Sequence, residues 1–213
     1  MMRGWLCVVS GRRRFGLSRQ ELIQRIRWLA EAGVDLVQIR ERDLADRDLV
    51  SLARDAVSAV SGTPARVMVN DRFDVAMAAA AAGVHLREDS IAAERIRSAA
   101  PPGFVVGCSV HEAARARALP HCDYLIFGTV FPSNGKAAGH PVAGLSGLRA
   151  ACAATTVPVL AIGGIDQNNA HEVMAAGAAG IAAMESLLTV SSAAAASTVV
   201  SAFRRAIDGA SHG

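Results

Sequence analysis

Short polar clusters recur along this chain, each directly after a brief apolar run. They are Arg40 and Arg42, Asn70 and Asp71, Asp89, Ser109 and His111, Ser133 and Lys136, and the pair Gly163-Gly164. Each type suits a particular chemistry. An imidazole such as that of His111 ordinarily titrates near 6.5, so it can accept and return a proton at neutral pH. Guanidinium groups bind phosphate or carboxylate through a planar fork, and an ammonium binds them as a point charge. Lys136, near Ser133, is the only lysine in the sequence. A glycine pair lets bare backbone N–H groups face an anion, although the same pair can also be an ordinary tight turn.

These clusters need elements that bring them together. Residues 157–188 read VPVLAIGGIDQNNAHEVMAAGAAGIAAMESLL, in which apolar runs at 157–162 and 180–184 flank an amphipathic stretch at 166–176. The runs have the length and aliphatic density of strands buried on both faces, and the stretch between them predicts a helix capped by Asp166 or Asn168. A strand–helix–strand unit of this kind makes its two strands parallel. The same alternation runs through the chain, with strands predicted at 5–9, 35–40, 66–69, 83–86, 104–108 and 123–128. Helices are predicted at 18–33, from 46 onward, and at 73–82, 91–99, 112–119, 145–154 and beyond 191, with a long loop at 129–143.

Eight such units in 213 residues predict a (β/α)8 TIM barrel as a single domain spanning 1–213. An open doubly wound sheet is the other arrangement, but Ser10-Gly11-Arg12 after the first strand is not the glycine-rich fingerprint it calls for. In a barrel every cluster would fall on one rim, where catalytic residues of this fold sit. That convergence points to an enzyme.

Composition narrows the classes further. With 52% hydrophobic but only 4% aromatic residues, the core must be aliphatic and rich in alanine. A net charge of +3 is compatible with an anionic small molecule and gives little support for nucleic acid as partner. No apolar run approaches the roughly 18 residues of a membrane span, and Arg12-Arg13-Arg14 interrupts any leader-like segment, so a cytoplasmic location is expected. Cys7, Cys108, Cys122 and Cys152 lie far apart with no CxxC pair, against a metal cluster or disulfide framework. Plainer readings remain for several residues. Arg40-Glu41-Arg42 could form a surface ion network, Asn70-Asp71 could cap the helix at Phe73, and Arg12–Arg14 could be a solvated loop. His85, inside a strand, reads as a packed core histidine; His121, His140 and His171 receive no role.

Six motifs together resemble the thiamine phosphate synthase and thiazole tautomerase family: VQIRERD at 37–43, VNDRFDVA at 69–76, GVHL at 83–86, GCSVH at 107–111, DYLIFGTVFP at 123–132 and PVLAIGGI at 158–165. The resemblance implies a (β/α)8 barrel, a homodimer, and a substrate with a thiazole ring and a phosphoethyl tail. It also implies one of two activities. A tautomerase aromatises thiazole phosphate carboxylate by proton transfer without metal. A synthase joins thiazole phosphate to hydroxymethylpyrimidine pyrophosphate with Mg²⁺, held here by Asp71 and Asp89.

The pyrophosphate motifs depart from the synthase pattern. Arg42 stands where lysine is usual, Leu86-Arg87-Glu88-Asp89 lacks the GQxD glutamine, and Ser133-Asn134-Gly135-Lys136 replaces TxTK. Lost hydrogen bonds to pyrophosphate, at ~1.5–3 kcal/mol each, favour the tautomerase as first reading. His111 would then shuttle the proton. Gly163, Gly164 and the backbone at Met184 and Glu185 would hold the phosphate, while Arg40, Arg42 or Lys136 meets the carboxylate beside Asn70, Ser109 and Ser133. The synthase is the alternative, and a non-catalytic thiazole or thiamine phosphate-binding regulator the third reading. Glu185 replaces a small polar residue of the family, so its carboxylate must turn away or weaken the phosphate site.

Overall fold

The computed structural model describes residues 4–133 and 141–209. Eight strands form a closed parallel barrel in sequence order: β1 (Trp5–Val9), β2 (Leu36–Ile39), β3 (Arg66–Asn70), β4 (Gly83–Leu86), β5 (Val105–Val110), β6 (Tyr124–Phe127), β7 (Val159–Ile162) and β8 (Gly180–Ala183). Closure is made by β1 against β8, with Trp5 opposite Gly180 and Val8 opposite Ala183. The (β/α)8 barrel expected from the alternation is the fold.

The first helix shows how local sequence sets an element. In α1 (Arg19–Ala32) the Ser18 hydroxyl accepts from the Glu21 N–H at 3.2 Å, and the Glu21 carboxylate accepts from the Ser18 N–H at 2.7 Å. This reciprocal cap fixes the start, while Gly33 at φ 109° ends the helix in a conformation that glycine adopts without a Cβ penalty. Leu22, Ile26 and Leu29 face inward at helical spacing. The remaining helices are α2 (Asp46–Ala59), α3 (Phe73–Ala78), α4 (Ala93–Ala99), α5 (Ala113–Arg117), α6 (Gly144–Ala154), α7 (Ala170–Ala175), α8 (Glu185–Leu188) and α9 (Ala193–Gly209).

Two apolar layers result. One lies between strands and helices; the other fills the barrel with Cys7, Leu36, Met68, Val105, Tyr124, Leu160 and Ala182. Tyr124 is the one tyrosine of the chain, and Gly107 on the neighbouring strand makes room for it. A Cβ at Gly107 would lie 2.1 Å from the phenol ring carbon Cζ.

Several boundaries differ from those predicted. The alanine-rich α3 stops at Ala78 rather than 82, because Ala80 turns to φ 53° to send the chain into β4. Helix propensity was right about the residues but silent about that reversal. The segment from Asp166 is not yet helix; the Asp166 carboxylate accepts from the Asn168 N–H at 2.8 Å, holding a turn, and α7 begins at Ala170. β5 runs on to Val110, which puts Ser109 inside the strand and His111 immediately after it. The short α8 was not foreseen, and Arg12–Phe15 is a 3-10 turn rather than a plain loop.

Candidate active site

Parallel strands carry all their carboxyl ends to one mouth. Arg40, Asn70 with Asp71, Ser109 with His111, Gly163 and Met184 follow from or end β2, β3, β5, β7 and β8, so they share that rim. Ser133 is half-buried in the segment after β6, and Lys136 lies outside the described residues.

Below the rim is a polar floor. On β2, Gln38 donates from Nε2 to Asn70 Oδ1 at 3.0 Å, leaving the Asn70 amide NH2 available as a donor. On β4, His85 is a buried core histidine, as its place inside a strand suggested. Its Nδ1 lies 3.1 Å from the Tyr124 hydroxyl and its Nε2 2.9 Å from Ser109 Oγ. Among the described residues the buried phenol has no other hydrogen-bond partner, so its proton must go to His85 Nδ1. Leaving it without an acceptor would cost about 1–3 kcal/mol. Nε2 therefore carries the ring proton and donates to Ser109 Oγ. The serine's own O–H is left to donate elsewhere. Burial, with Arg40 nearby, pushes the His85 pKa down to about 3, while burial pushes that of Tyr124 up, so both stay neutral.

This gives a pH prediction. The unfolded chain binds a proton on His85 near 6.5, whereas the folded chain does so only near 3. Stability is therefore unaffected by this group above 6.5 and falls as pH drops from there toward 3. From pH 7 to 5 the wild type should lose roughly 2 kcal/mol more than His85→Gln, at about 1.4 kcal/mol per pH unit. Urea unfolding at the two pH values measures it, and parallel losses in the two proteins would refute it.

The cations are arranged unlike a surface ion network. Arg40 is half-buried, with its backbone N–H on Ser10 Oγ at 2.8 Å, and its guanidinium has no ion pair among the described residues. Burial first, then repulsion from Arg42, pushes its pKa down; Arg87 adds to that repulsion. Such a group favours an incoming anion. Glu41, between the two arginines in sequence, is buried and accepts from the Arg12 N–H at 2.9 and 3.2 Å. Arg12 also pairs with Asp43 at 2.7 Å. Within the Arg12–Arg14 stretch, read from sequence as a solvated loop, Arg13 and Arg14 are indeed exposed, while Arg12 ties the loop after β1 to the loop after β2.

Asn70 and Asp71 do not cap α3, whose N-cap residue is Arg72 without a side-chain bond. Asp71 sits at φ 64°, a left-handed conformation uncommon for a residue with a side chain, and accepts a hydrogen bond from Ser90 Oγ. Its other oxygen faces Arg87 Nη1 at 3.4 Å. Arg87 also grips Asp89, with Nε to Oδ1 at 2.8 Å and Nη2 to Oδ2. Asp71 and Asp89, the two carboxylates suggested for Mg²⁺, thus share an arginine. Glu88 is held by Arg115 at 3.3 Å. Among the described residues no group of three His, Cys, Asp or Glu could hold a metal ion. With Arg87 between them, Asp71 and Asp89 as placed do not fit a Mg²⁺ bound to both carboxylates at once.

Across the mouth lies the glycine turn. Gly163 and Gly164 have φ of 106° and 62°, and a Cβ at Gly164 would lie 2.3 Å from the Pro132 carbonyl oxygen. Phe131 N–H donates to the Gly163 carbonyl at 3.0 Å, pressing the segment after β6 against this turn. Only glycine fits both the conformation and the approach. Met184 precedes α8, which begins at Glu185. The Glu185 carboxylate pairs with Arg14 Nη2 at 3.1 Å, so a partner offsets the charge that threatened the phosphate site.

His111 is exposed at the rim. Its Nδ1 lies 2.5 Å from the Gly128 carbonyl, which can only accept, so Nδ1 carries a proton and neutral Nε2 is left as a base. Sequence reading missed Arg12, Arg14, Arg87, Ser90 and Tyr124 as partners of the site. Their contacts join residues distant in sequence, apart from the local turn at 87–90.

A closed parallel barrel with polar residues and a glycine turn gathered at the carboxyl mouth is the arrangement on which (β/α)8 enzymes build their active sites. The family model described as thiamine monophosphate synthase matches residues 6–187. The thiamine-phosphate synthase of Methanoculleus marisnigri is 38% identical over 164 residues, covering 76% of this chain and 78% of the relative. That of Albidiferax ferrireducens is 41% identical over 162 residues, 74% and 73% of the two chains. The solved thiamine phosphate pyrophosphorylase from Pyrococcus furiosus superposes with a TM-score of 0.82 at 28% identity, covering 97% of this chain and 96% of that one. This chain belongs to the thiamine monophosphate synthase family and is an enzyme of thiamine biosynthesis. Among the described residues, no helix is long and apolar enough to cross a membrane.

Proposed function

We propose that this enzyme is a thiamine-phosphate synthase, joining thiazole phosphate to hydroxymethylpyrimidine pyrophosphate with loss of pyrophosphate. The supporting observation is a mouth with two separate anion-binding features. Arg40, Arg42 and Arg87 gather after β2 and β4, and the glycine turn lies across the barrel after β7. Arg87 is already paired with Asp71 and Asp89, while Arg40 and Arg42 beside it have no ion pair among the described residues. A pyrophosphate suits these two, because its charge and its several acceptor oxygens match planar forks. The names of the relatives favour this coupling over the proton transfer that the sequence placed first. In this reading Arg42 and Arg87, which depart from the family pattern, become part of the pyrophosphate environment.

Each residue then has a task. The glycine turn binds the thiazole phosphate through backbone N–H groups. Asn70 NH2 and Ser109 O–H, held by Gln38 and His85, donate to polar atoms of the ring substrates. Arg40 meets the pyrophosphate and stabilises the charge that grows on it as the new bond forms. Tautomerisation is a second reading, favoured by the His111 geometry, since a fixed Nδ1–H leaves Nε2 as a base at the mouth. Purified enzyme given thiazole phosphate and hydroxymethylpyrimidine pyrophosphate should release thiamine phosphate. Failure to couple them, with rapid aromatisation of thiazole phosphate carboxylate, would overturn the first reading for the second.

A further inference from the structure

We propose that the Arg87 guanidinium takes the place of a divalent cation between Asp71 and Asp89, so that arginines, not a protein-held metal ion, receive the substrate pyrophosphate. The geometry is that of an internal counter-ion. Arg87 spans the two carboxylates, with Nη1 3.4 Å from Asp71 Oδ2 and Nε 2.8 Å from Asp89 Oδ1. A Mg²⁺ would need carboxylate oxygens at about 2.0–2.1 Å in octahedral order. An ion bound to both aspartates would have to displace the guanidinium.

The arginine is also held in place locally. The Arg87 N–H donates to Ser90 Oγ at 2.8 Å, and that hydroxyl in turn donates to Asp71. The remaining Asp71 oxygen and both Asp89 oxygens therefore face one planar cation. Arg40 lies close enough for Arg42 and Arg87 to repel its charge. A guanidinium is more weakly hydrated than a compact cation and presents several N–H donors, whereas Mg²⁺ gives up its waters reluctantly.

The binding part of this inference stands without the coupling reaction; its activity part rests on that reading. Binding of Mn²⁺ alone is followed by the electron paramagnetic resonance of the free ion, on full-length wild type, Arg87→Gln and Arg87→Gln/Asp71→Asn. Wild type should leave Mn²⁺ free. Arg87→Gln should bind one Mn²⁺ about 100-fold or more tightly than wild type, because a neighbouring cation is gone, and the double variant should lose that site. Stoichiometric Mn²⁺ on wild type, abolished by Asp71→Asn, would overturn the proposal and does not require the arginine variant to fold. So would a folded Arg87→Gln that binds Mn²⁺ no better than wild type.

Coupling assayed with EDTA supplies the activity arm. Thiamine phosphate formed at an undiminished rate supports the inference. Formation only after Mg²⁺ is added overturns it while leaving the synthase reading intact. No product under either condition removes the synthase reading, and Mn²⁺ binding then decides alone.

Discussion

Arg40→Met is expected to lower kcat/KM for hydroxymethylpyrimidine pyrophosphate by about 100- to 1000-fold while leaving the KM for thiazole phosphate nearly unchanged. The guanidinium is half-buried and has no ion pair among the described residues, and Arg42 and Arg87 repel it. An anion arriving there gains charge-assisted hydrogen bonds worth ~1.5–3 kcal/mol each. A bidentate pair, less what solvent returns, accounts for roughly 3–4 kcal/mol, and each 1.4 kcal/mol is about a factor of ten. Methionine keeps most of the buried stem, so the barrel should remain about as stable, since the half-buried charge is opposed by burial and by Arg42 and only partly offset by Glu41. In the proposed reading thiazole phosphate binds at Gly163 and Gly164 after β7, three strands from β2 through β8 and β1 of the closed barrel. The split between KM and kcat also locates the contact. A loss confined to KM means that Arg40 holds the ground state, and a loss in kcat means it acts as pyrophosphate departs. Equal losses for both substrates, or a change below about threefold, would remove Arg40 from the pyrophosphate site.

What sequence could reveal depended on whether a contact was local or long-range. The strands were legible because parallel strands buried on both faces read as unbroken aliphatic runs such as VLAI at β7. The mouth was legible because parallel closure sends every strand's end the same way. His85 was legible as core from its place within GVHL.

The partners were not. Nothing near Arg14 in sequence announces Glu185, nor does Arg12 announce Glu41. Arg87 looked like a lost glutamine motif rather than a cation between two aspartates, because Asp71 is brought to it by strand pairing alone. Gly107 could not be assigned either, since its role is to leave space for a ring on the next strand. Helix ends failed in alanine-rich stretches, where no residue type signals the stop at Ala78. The first choice between proton transfer and coupling turned on counting missing hydrogen-bond donors. The relatives' names back the coupling instead, and that count could not foresee that Arg87 pairs with Asp71 and Asp89.

His111→Gln is expected to separate the two reactions that this mouth could serve. The glutamine NH2 can still donate to the Gly128 carbonyl, which His111 Nδ1–H now holds at 2.5 Å, so the rim should keep its shape. What is lost is the neutral Nε2 that can take up a proton and return it. General acid–base catalysis contributes typically about 10²- to 10⁴-fold, or roughly 3–5 kcal/mol of barrier. Aromatisation of thiazole phosphate carboxylate by wild type should therefore slow by about that factor in the variant. Affinity for the phosphate should change little, because the glycine turn, not His111, is its proposed site. Coupling should suffer less, since its barrier is lowered mainly by stabilising the departing pyrophosphate through Arg40 and its neighbours. Wild type and variant are each given the tautomer alone, then thiazole phosphate with pyrimidine pyrophosphate. A variant that aromatises the tautomer at the wild-type rate would show that the proton moves through another group. A variant that loses coupling as deeply as aromatisation would place His111 in the coupling step, and the division of labour across the mouth would have to be redrawn.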